Sequence, residues 1–182
     1  MRIISGSKKG MSVYPPNDLP ARPTTDRSKE GLFNILNNYY YFDEVSVLDL
    51  YSGTGSVSFE FASRGTPHII AVEQDSHSIK FINKESERFE FYEIEPICIE
   101  VMSYLENTDE TFDIIFADPP FNNPESKDMV YKVFEKQLLK PKGLLALEHY
   151  KKEEFGDIPH FIKKYKYGQT IISLFNYEGE MY

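Results

Sequence analysis

Hydrophobic and polar residues follow two different patterns along this chain from about residue 45 onward. Short runs that are almost continuously apolar are typical of strands buried on both faces of a parallel sheet. Between them, apolar residues recur every three or four positions, as they do on one face of a helix. This alternation predicts an α/β fold in which helices cover both faces of a mostly parallel sheet. The predicted parallel strands are residues 45–51, 68–73, 97–101, 112–118 and 143–148.

Helical spacing is clearest between these strands. Residues 56–64 form one helical segment, and Gly65 follows it, as glycine often does at a helix end. An earlier helix is predicted to begin at Thr24 or Thr25, whose hydroxyl groups can cap it, with Asp26 in its first turn. The positions that define the helical faces are Leu32, Ile35, Leu36 and Tyr39, then Ile79, Ile82, Ser86 and Phe89, and finally Met129, Val130, Val133 and Phe134.

Two pairs of strand-like runs lie too close together for a helix between them. Residues 2–5 and 11–14 flank a glycine-bounded turn, which predicts an N-terminal hairpin. Residues 161–167 and 170–177 are joined at Gly168 and Gln169, which predicts an antiparallel hairpin at the end of the sheet. Together with the five parallel strands, this second hairpin gives a seven-stranded sheet.

Composition limits the class of protein further. A chain of 182 residues with 41% hydrophobic residues can bury a sizeable core. No run approaches the roughly 18 apolar residues of a membrane span, and the first residues lack the apolar stretch of a signal peptide. Cys98 is the one cysteine and the four histidines are scattered, so we expect no disulfide and no metal site. These features predict a cytoplasmic protein.

The distribution of charge is uneven. The net charge of −9 argues against a general nucleic-acid binder. Residues 1–29 nevertheless carry six basic and two acidic side chains, a net charge of +4, which leaves −13 for the remainder. A short basic segment on an acidic body is a hint of a localised contact with a polyanion.

The segment Asp-Leu-Tyr-Ser-Gly-Thr-Gly at residues 49–55, where the first parallel strand ends in a glycine loop, is a candidate cofactor loop. Gly53 and Gly55 let the backbone approach a ligand closely. The dinucleotide-binding fingerprint requires a third glycine where Ser58 stands, which weakens a pyrophosphate-binding interpretation. The carboxylate of Asp49 would suit an ammonium group. Glu73 ends the second strand and can accept hydrogen bonds from ribose hydroxyls, as it could in a nicotinamide enzyme too.

The tetrapeptide Asp118-Pro119-Pro120-Phe121 follows the fourth predicted strand. A carboxylate, two rigid residues and an aromatic ring at a strand end can clamp a flat substrate and accept hydrogen bonds from its exocyclic amine. The alternative interpretation is a strand that is simply terminated by prolines, since proline cannot donate to a strand ladder.

Taken together, these motifs resemble class I S-adenosylmethionine-dependent methyltransferases, a Rossmann-like fold that ends in an antiparallel hairpin. The resemblance implies that the cofactor loop holds the methionine moiety, that Glu73 holds the ribose and that residues after the third strand face adenine. The product would be S-adenosyl-L-homocysteine. The cofactor-binding residues implied in this way are Asp49, Tyr51, Ser52, Gly53, Gly55, Glu73, Glu100, Val101 and Asp118.

The tetrapeptide resembles the (Asp/Asn)-Pro-Pro-(aromatic) motif of methyltransferases that act on planar nitrogen. The resemblance implies that the Asp118 carboxylate and the Pro119 carbonyl accept the two N–H groups of the target amine. Phe121 would stack on the base, a contact worth about 1–3 kcal/mol. The catalytic residues expected are therefore Asp118, Pro119, Pro120 and Phe121.

The N-terminal region is similar to the opening of the RsmD family, most specifically in the block Arg-Pro-Thr-Thr-Asp-Arg at residues 22–27. RsmD enzymes methylate the N2 amine of one guanine in bacterial 16S ribosomal RNA. The resemblance implies an RNA-binding hairpin arm at residues 1–22 and a methyltransferase domain at residues 23–182. The implied partner is ribosomal RNA, presented in an assembled or assembling small subunit, with no membrane or obligate protein partner. The implied RNA-binding residues are Arg2, Lys8, Lys9, Arg22, Thr24, Thr25 and Arg27.

Three other functions are alternatives to methylation of a guanine in ribosomal RNA. An N6-adenine DNA methyltransferase is disfavoured because 182 residues leave no room for a separate target-recognition domain. A protein-glutamine methyltransferase usually has asparagine where Asp118 stands. A non-catalytic RNA-binding or ribosome-assembly factor would not be expected to keep both cofactor acids, both glycines and the intact tetrapeptide.

Overall fold

The computed structural model describes residues 1–17, 19, 26–121 and 123–181, and the fold is built around one seven-stranded sheet. Five α-helices and one short 3-10 helix, Phe42–Glu44, accompany the sheet over these residues. The strands are β1 (Ser46–Leu50), β2 (His68–Glu73), β3 (Ile94–Cys98), β4 (Phe112–Ala117), β5 (Leu139–Tyr150), β6 (Phe161–Tyr167) and β7 (Thr170–Phe175). The helices are α1 (Asp26–Leu36), α2 (Ser56–Ser63), α3 (Ser76–Phe89), α4 (Val101–Asn107) and α5 (Ser126–Glu135).

The strand order β3-β2-β1-β4-β5-β7-β6 confirms the predicted fold class. β1 to β5 are parallel, and β7 lies antiparallel between β5 and β6. The chain runs outward from β1 through β2 to β3, then returns to begin the other half of the sheet at β4. The order therefore reverses between β1 and β4, and in open α/β sheets the crevice at the carboxyl ends of two such strands is where ligands bind.

Two apolar layers cover the sheet. On one face, α1, α2 and α3 pack against the strands through residues such as Leu32, Phe59 and Ile82, which are at most 1% exposed. On the other face, α4 and α5 contribute Leu105 and Met129, which are fully buried. Burial of each such side chain stabilises the fold by about 1.5–3 kcal/mol. The sheet is thereby fixed from both sides, and the loops at its carboxyl edge have a rigid base.

The predicted third strand was misplaced. The strand is Ile94–Cys98, and Val101 is instead the first residue of α4, a helix that the apolar pattern did not reveal. Glu100 caps this helix by accepting hydrogen bonds from two N–H groups of its first turn. β3 is the edge strand of the sheet, where Pro96 is tolerated because its missing N–H is not needed by an outer neighbour.

Residues 1–14 form a hairpin that is packed onto α2. The Ile3 N–H donates to the Met11 carbonyl at 2.9 Å, and the Gly10 N–H donates to the Ile3 carbonyl at 2.8 Å. Gly6 has φ of +82°, and a Cβ atom there would lie 1.7 Å from the Ser63 carbonyl oxygen. Only glycine permits this close approach. The boundary predicted between residues 22 and 23 lies outside the described residues.

A fully buried glutamate, Glu60 of α2, holds this hairpin in place. Its carboxylate accepts the N–H groups of Ile4 at 2.7 Å and Ser5 at 3.0 Å. The Arg64 guanidinium donates to the same carboxylate at 2.8 Å and lies over the Phe33 ring, 4.4 Å from its centroid. The sequence analysis did not identify this role, although an acid within the apolar stretch of α2 was a visible sign of it.

Lys29 of α1 is the buried cation beside Glu60. Its Nζ atom lies 3.9 Å from Glu60 Oε2 and donates to the Arg2 carbonyl at 2.7 Å and to Ser56 Oγ at 3.1 Å. Burial lowers the pKa of Lys29, and the nearby Glu60 carboxylate opposes that shift. The Lys29–Glu60 pair therefore connects the N-terminal hairpin to the first residue of α2, which follows the cofactor loop.

Candidate cofactor and substrate site

Two adjoining cavities lie at the carboxyl edge of the sheet. Their volumes are about 500 and about 240 Å³, and together they fall in the usual range for small-molecule sites. The larger one lies between the loops after β1 and β4, and the smaller one extends towards the start of α4. The residues that line both are Tyr51, Glu73, Gln74 and Pro120.

The loop after β1 turns sharply to form one wall of the larger cavity. Tyr51, Gly53 and Gly55 all have positive φ, at 58°, 53° and 76°. A Cβ atom at Gly55 would come within 3.0 Å of the Ile82 side chain, so the loop is both left-handed and tightly packed there. The Ser52 N–H donates to the Val72 carbonyl at 3.0 Å, which ties the loop to β2. The backbone is thereby presented to the cavity in one fixed conformation.

Asp49 lies near the end of β1, is buried and lines the larger cavity. Its Oδ2 atom accepts hydrogen bonds from the Ser58 backbone N–H at 3.1 Å and from Ser58 Oγ at 2.5 Å. Burial raises the pKa of Asp49 to about 7, although the Ser58 hydrogen bonds oppose the shift. Ser58, the residue in place of the third glycine, therefore fixes this carboxyl group, a role that the sequence analysis did not foresee.

Glu73 ends β2 and lines both cavities. Its two carboxylate oxygens accept the Gly53 N–H at 3.0 Å and the Asp75 N–H at 2.9 Å. Each carboxylate oxygen can accept more than one hydrogen bond, so Glu73 keeps acceptor capacity for ligand hydroxyl groups. These hydrogen bonds of Glu73 connect the cofactor loop to the loop after β2.

Glu100 and Val101 line the smaller cavity at the start of α4. The Glu100 carboxylate accepts the N–H groups of Met102 and Ser103, both at 2.7 Å. Burial raises the pKa of Glu100, but these N–H groups outweigh it and leave the pKa below its usual value. The structure thus places both residues at the cavity, with Glu100 also serving as the helix cap.

The tetrapeptide lies directly across from the cofactor loop. The Asp118 N–H donates to the carbonyl of Leu50, the last residue of β1, at 3.3 Å. Asp118, Pro119, Pro120 and Phe121 all line the larger cavity. The glycine loop and the tetrapeptide are 63 residues apart, counted from Gly55 to Asp118. The pairing of β1 with β4 brings them to one cavity.

Phe121 forms an aromatic edge at the mouth of this cavity. Its side chain is 63% exposed, which is unusual for a phenylalanine of a folded domain. The Tyr150 ring, at the end of β5, packs edge-on against it with centroids 5.1 Å apart. Tyr150 was not predicted as a site residue, because its contact with Phe121 depends on where β5 ends.

Of the predicted RNA-binding residues that the structure describes, none lines either cavity. Arg2 is exposed and forms ion pairs with Asp26 at 3.1 Å and Glu30 at 3.9 Å. Lys8 and Lys9 lie on the turn of the N-terminal hairpin, and Arg27 is exposed on α1. The remaining three, Arg22, Thr24 and Thr25, lie outside the described residues.

Neither a metal site nor a membrane span is found over residues 1–17, 19, 26–121 and 123–181. No group of three or more His, Cys, Asp or Glu side chains there could hold a metal ion. No helix in those ranges is long and apolar enough to cross a bilayer.

Comparison with known proteins adds independent information. Residues 1–176 match the family model described as conserved hypothetical protein 95. YlbH of Bacillus subtilis (strain 168), provisionally named as an rRNA methyltransferase, is 31% identical over 187 residues, which cover 98% of this chain and 100% of YlbH. Ribosomal RNA small subunit methyltransferase D of Haemophilus influenzae is 31% identical over 155 residues, or 81% of this chain and 78% of that protein.

A solved structure agrees in fold. The provisionally named methyltransferase yhhF of Escherichia coli superposes with a TM-score of 0.86 over 96% of both chains, at 22% identity. At this level of identity the likeness concerns the fold alone.

Proposed function

Because the chain belongs to the RsmD family of methyltransferases, whose family model spans residues 1–176, we propose that it methylates the exocyclic N2 amine of a guanine in 16S ribosomal RNA. The methyl donor in this proposal is S-adenosyl-L-methionine. The sulfonium–methyl bond breaks as the N2–methyl bond forms, and the products are S-adenosyl-L-homocysteine, N2-methylguanine and the proton that the amine loses. One observation carries the proposal above all. The glycine loop and the Asp-Pro-Pro-Phe tetrapeptide line one cavity at the point where the strand order reverses.

The cavity residues fit the proposed cofactor. Asp49 and Gly53 both line the larger cavity, and the Asp49 carboxyl group would receive the ammonium group of the methionine moiety. Glu73 would accept the ribose hydroxyls, and Glu100 with Val101 would face adenine in the smaller cavity. When bound, S-adenosylmethionine supplies a methyl group that is already activated by its attachment to a sulfonium.

The substrate side of the cavity fits a planar amine. The lone pair of such a nitrogen is delocalised into the base ring, so the amine is a poor nucleophile. The Asp118 carboxylate and the Pro119 carbonyl would accept its two N–H groups and favour a pyramidal nitrogen whose lone pair points at the methyl group. Phe121 would stack on the base, with Tyr150 supporting the ring from its edge. Positioning of this kind supplies much of the rate of a bimolecular transfer.

Ribosomal RNA is the substrate class suggested by the names of the relatives and by the distribution of charge. We propose that residues 1–22 act as the RNA-binding hairpin arm, with Arg2, Lys8 and Lys9 near phosphates. The remainder of the chain is acidic, so few phosphate contacts are expected outside the first 29 residues. Recognition would then depend on the shape of a folded ribonucleoprotein and on a base turned out of its stack.

A methyl-transfer assay tests the proposed function directly. Labelled S-adenosylmethionine is incubated with small subunits, or with 16S ribosomal RNA, from cells that lack the modification, and the labelled nucleosides are identified. N2-methylguanosine is the expected product. N6-methyladenosine would instead favour the adenine alternative. Absence of transfer with intact cofactor binding would overturn the proposal and favour a non-catalytic role.

Glu73→Gln is expected to weaken cofactor binding. Loss of the charge-assisted hydrogen bonds to the ribose should cost about 1.5–3 kcal/mol, or roughly ten- to hundredfold in Kd. Calorimetric titration with S-adenosylhomocysteine measures the change. Glu95→Gln is the matched control, because Glu95 is an exposed glutamate on the neighbouring strand β3. Equal affinity of the Glu73 variant and the wild type would remove Glu73 from the ribose site.

Charge reversal of Lys8 and Lys9 is expected to reduce activity on small subunits while cofactor affinity stays unchanged. Each lost phosphate contact should also reduce the slope of log affinity against log salt by about 1. The measurement is methyl transfer at several salt concentrations. Reversal of Lys80 and Lys84, two exposed lysines on α3, makes the same change in net charge elsewhere. If both double variants behave alike, the hairpin turn does not contact RNA.

A further inference from the structure

Glu148 is a buried carboxyl group that the proposed reaction leaves without a role. It lies near the carboxyl end of β5 and is 7% exposed. The Ser28 hydroxyl of α1 hydrogen-bonds to it, while its Oε2 atom has no partner among the described residues. An ionised carboxylate in such a place loses its hydration without full compensation, so burial favours the protonated form.

Strand register brings Glu148 next to Asp118. Ala117 of β4 pairs with Leu147 of β5 in parallel register. Asp118 and Glu148 directly follow these two residues, so two acids lie side by side at the carboxyl edge of the sheet. Burial raises the pKa of Glu148 to about 8, and the negative charge of Asp118 contributes to the shift.

Neutral residues lie beside Glu148 on two other elements. Ile172 of β7 is its antiparallel register partner, and Ser28 faces it from α1. His149, the next residue of β5, hydrogen-bonds to Ser173 and packs against Phe155, in the apolar layer on the opposite face of the sheet. Among the described residues, Asp118 is the group whose like-charge repulsion adds to the raised pKa of Glu148, and Asp118 also faces the buried carboxyl group of Asp49.

We propose that Glu148 is a positioning residue for Asp118: it holds the one proton that the two acids share, so that the negative charge stays on Asp118. When two carboxyl groups compete, the more deeply buried one keeps the proton, and here that group is Glu148. Asp118, at the cavity wall, then accepts the N–H groups of the target amine as a carboxylate. This inference rests on the proposed function, because it assumes that Asp118 binds the amine.

The protonation of Glu148 can be measured without any substrate. Selective ¹³C labelling of glutamate carboxyl groups reports each glutamate through its chemical shift, and Asp49, whose pKa burial raises to about 7, stays invisible. Comparison with Glu148→Gln assigns the Glu148 signal. We expect it to titrate near pH 8 in the wild type and at lower pH in Asp118→Asn, which lacks the neighbouring charge. A Glu148 signal that titrates below pH 6 would overturn the proposal.

The consequence for catalysis is tested by the pH dependence of kcat at saturating cofactor and small subunits. In the wild type, kcat should fall above about pH 8, because an ionised Glu148 repels the Asp118 carboxylate from the amine. Glu148→Gln keeps the neutral form at every pH, so its kcat at pH 7 should stay within about threefold of wild type and the decline should vanish. The control Glu95→Gln should keep the wild-type profile.

Two outcomes of this experiment decide against the proposal. A folded Glu148→Gln enzyme that binds cofactor but has lost activity would mean that Glu148 works as a carboxylate. If the kcat of Glu148→Gln still declines with the same midpoint pH as the wild type, the group that titrates is not Glu148. If the wild type methylates no ribosomal substrate, the proposed function itself fails, whereas the carboxyl titration still decides which acid holds the proton.

Discussion

Replacement of Asp118 by alanine is expected to lower kcat by about 10²–10⁴-fold, the range seen for groups that handle a proton of the reacting centre. The variant loses the acceptor for one N–H of the target amine, so the nitrogen is held less well for attack. The affinity for S-adenosylmethionine should change little, because the glycine loop and Glu73 are anchored independently of the Asp118 side chain.

The loss of activity should not reflect loss of the fold. Burial is the main cause of the raised pKa of Asp49 and of Glu148, and repulsion from Asp118 adds to it, so removal of the Asp118 charge relieves both buried acids. Asp118→Asn keeps an acceptor oxygen, so its kcat should lie between the values of Asp118→Ala and the wild type. Asp128→Ala, an exposed aspartate on α5, is the control. Unchanged kcat in Asp118→Ala would exclude the proposed role of the tetrapeptide.

Replacement of Glu60 by alanine is expected to destabilise the protein by about 3–5 kcal/mol, the usual cost of breaking a buried ion pair from one side. The change leaves the Lys29 ammonium buried beside an empty space and removes the acceptor of the Ile4 and Ser5 N–H groups. Since domains of this kind are stable by only about 5–15 kcal/mol, a large part of the total is lost.

Urea unfolding gives the free-energy change through the midpoint and slope of the transition. Glu87→Ala, an exposed glutamate on α3, is the matched control. The double variant Lys29→Met, Glu60→Leu should recover only part of the loss, because it removes both charges of the pair but leaves the Ile4 and Ser5 N–H groups without an acceptor. A Glu60→Ala protein within about 1 kcal/mol of wild type would show that the Lys29–Glu60 pair is not what fixes the hairpin.

Strands that are buried on both faces were predictable because they are apolar throughout. β1, β2 and β4 begin and end within one or two residues of the predicted positions. The segment around β3 was wrong because this strand lies at the edge of the sheet and is only partly buried, so apolar pattern alone did not delimit it. Val101 continued the apolar run, yet Glu100 caps a helix there, and only the fold distinguishes the two conformations.

The cofactor loop and the tetrapeptide were predictable because each is a short, contiguous motif. Glu148, Tyr150 and Lys29 were not, since each acts through a partner distant in sequence. Lys29 meets Ser56 across 27 residues, and nothing local to either residue indicates the contact. An acid directly after an apolar strand was a sign shared by Asp118 and Glu148, but only the register of β4 and β5 makes them neighbours.

The position of β7 in the sheet has a consequence for how the chain is made. β7 is the last strand in chain order, yet it lies between β5 and β6. While the chain is being synthesised, the apolar edge of β5 stays unpaired until residues 170–175 have left the ribosome. An open strand edge of this kind is a template for pairing with other chains. Once β7 is in place, the outer edge is β6, whose exposed Lys163, Lys164 and Lys166 discourage such pairing. The nascent chain is therefore most prone to aggregation just before β7 has left the ribosome.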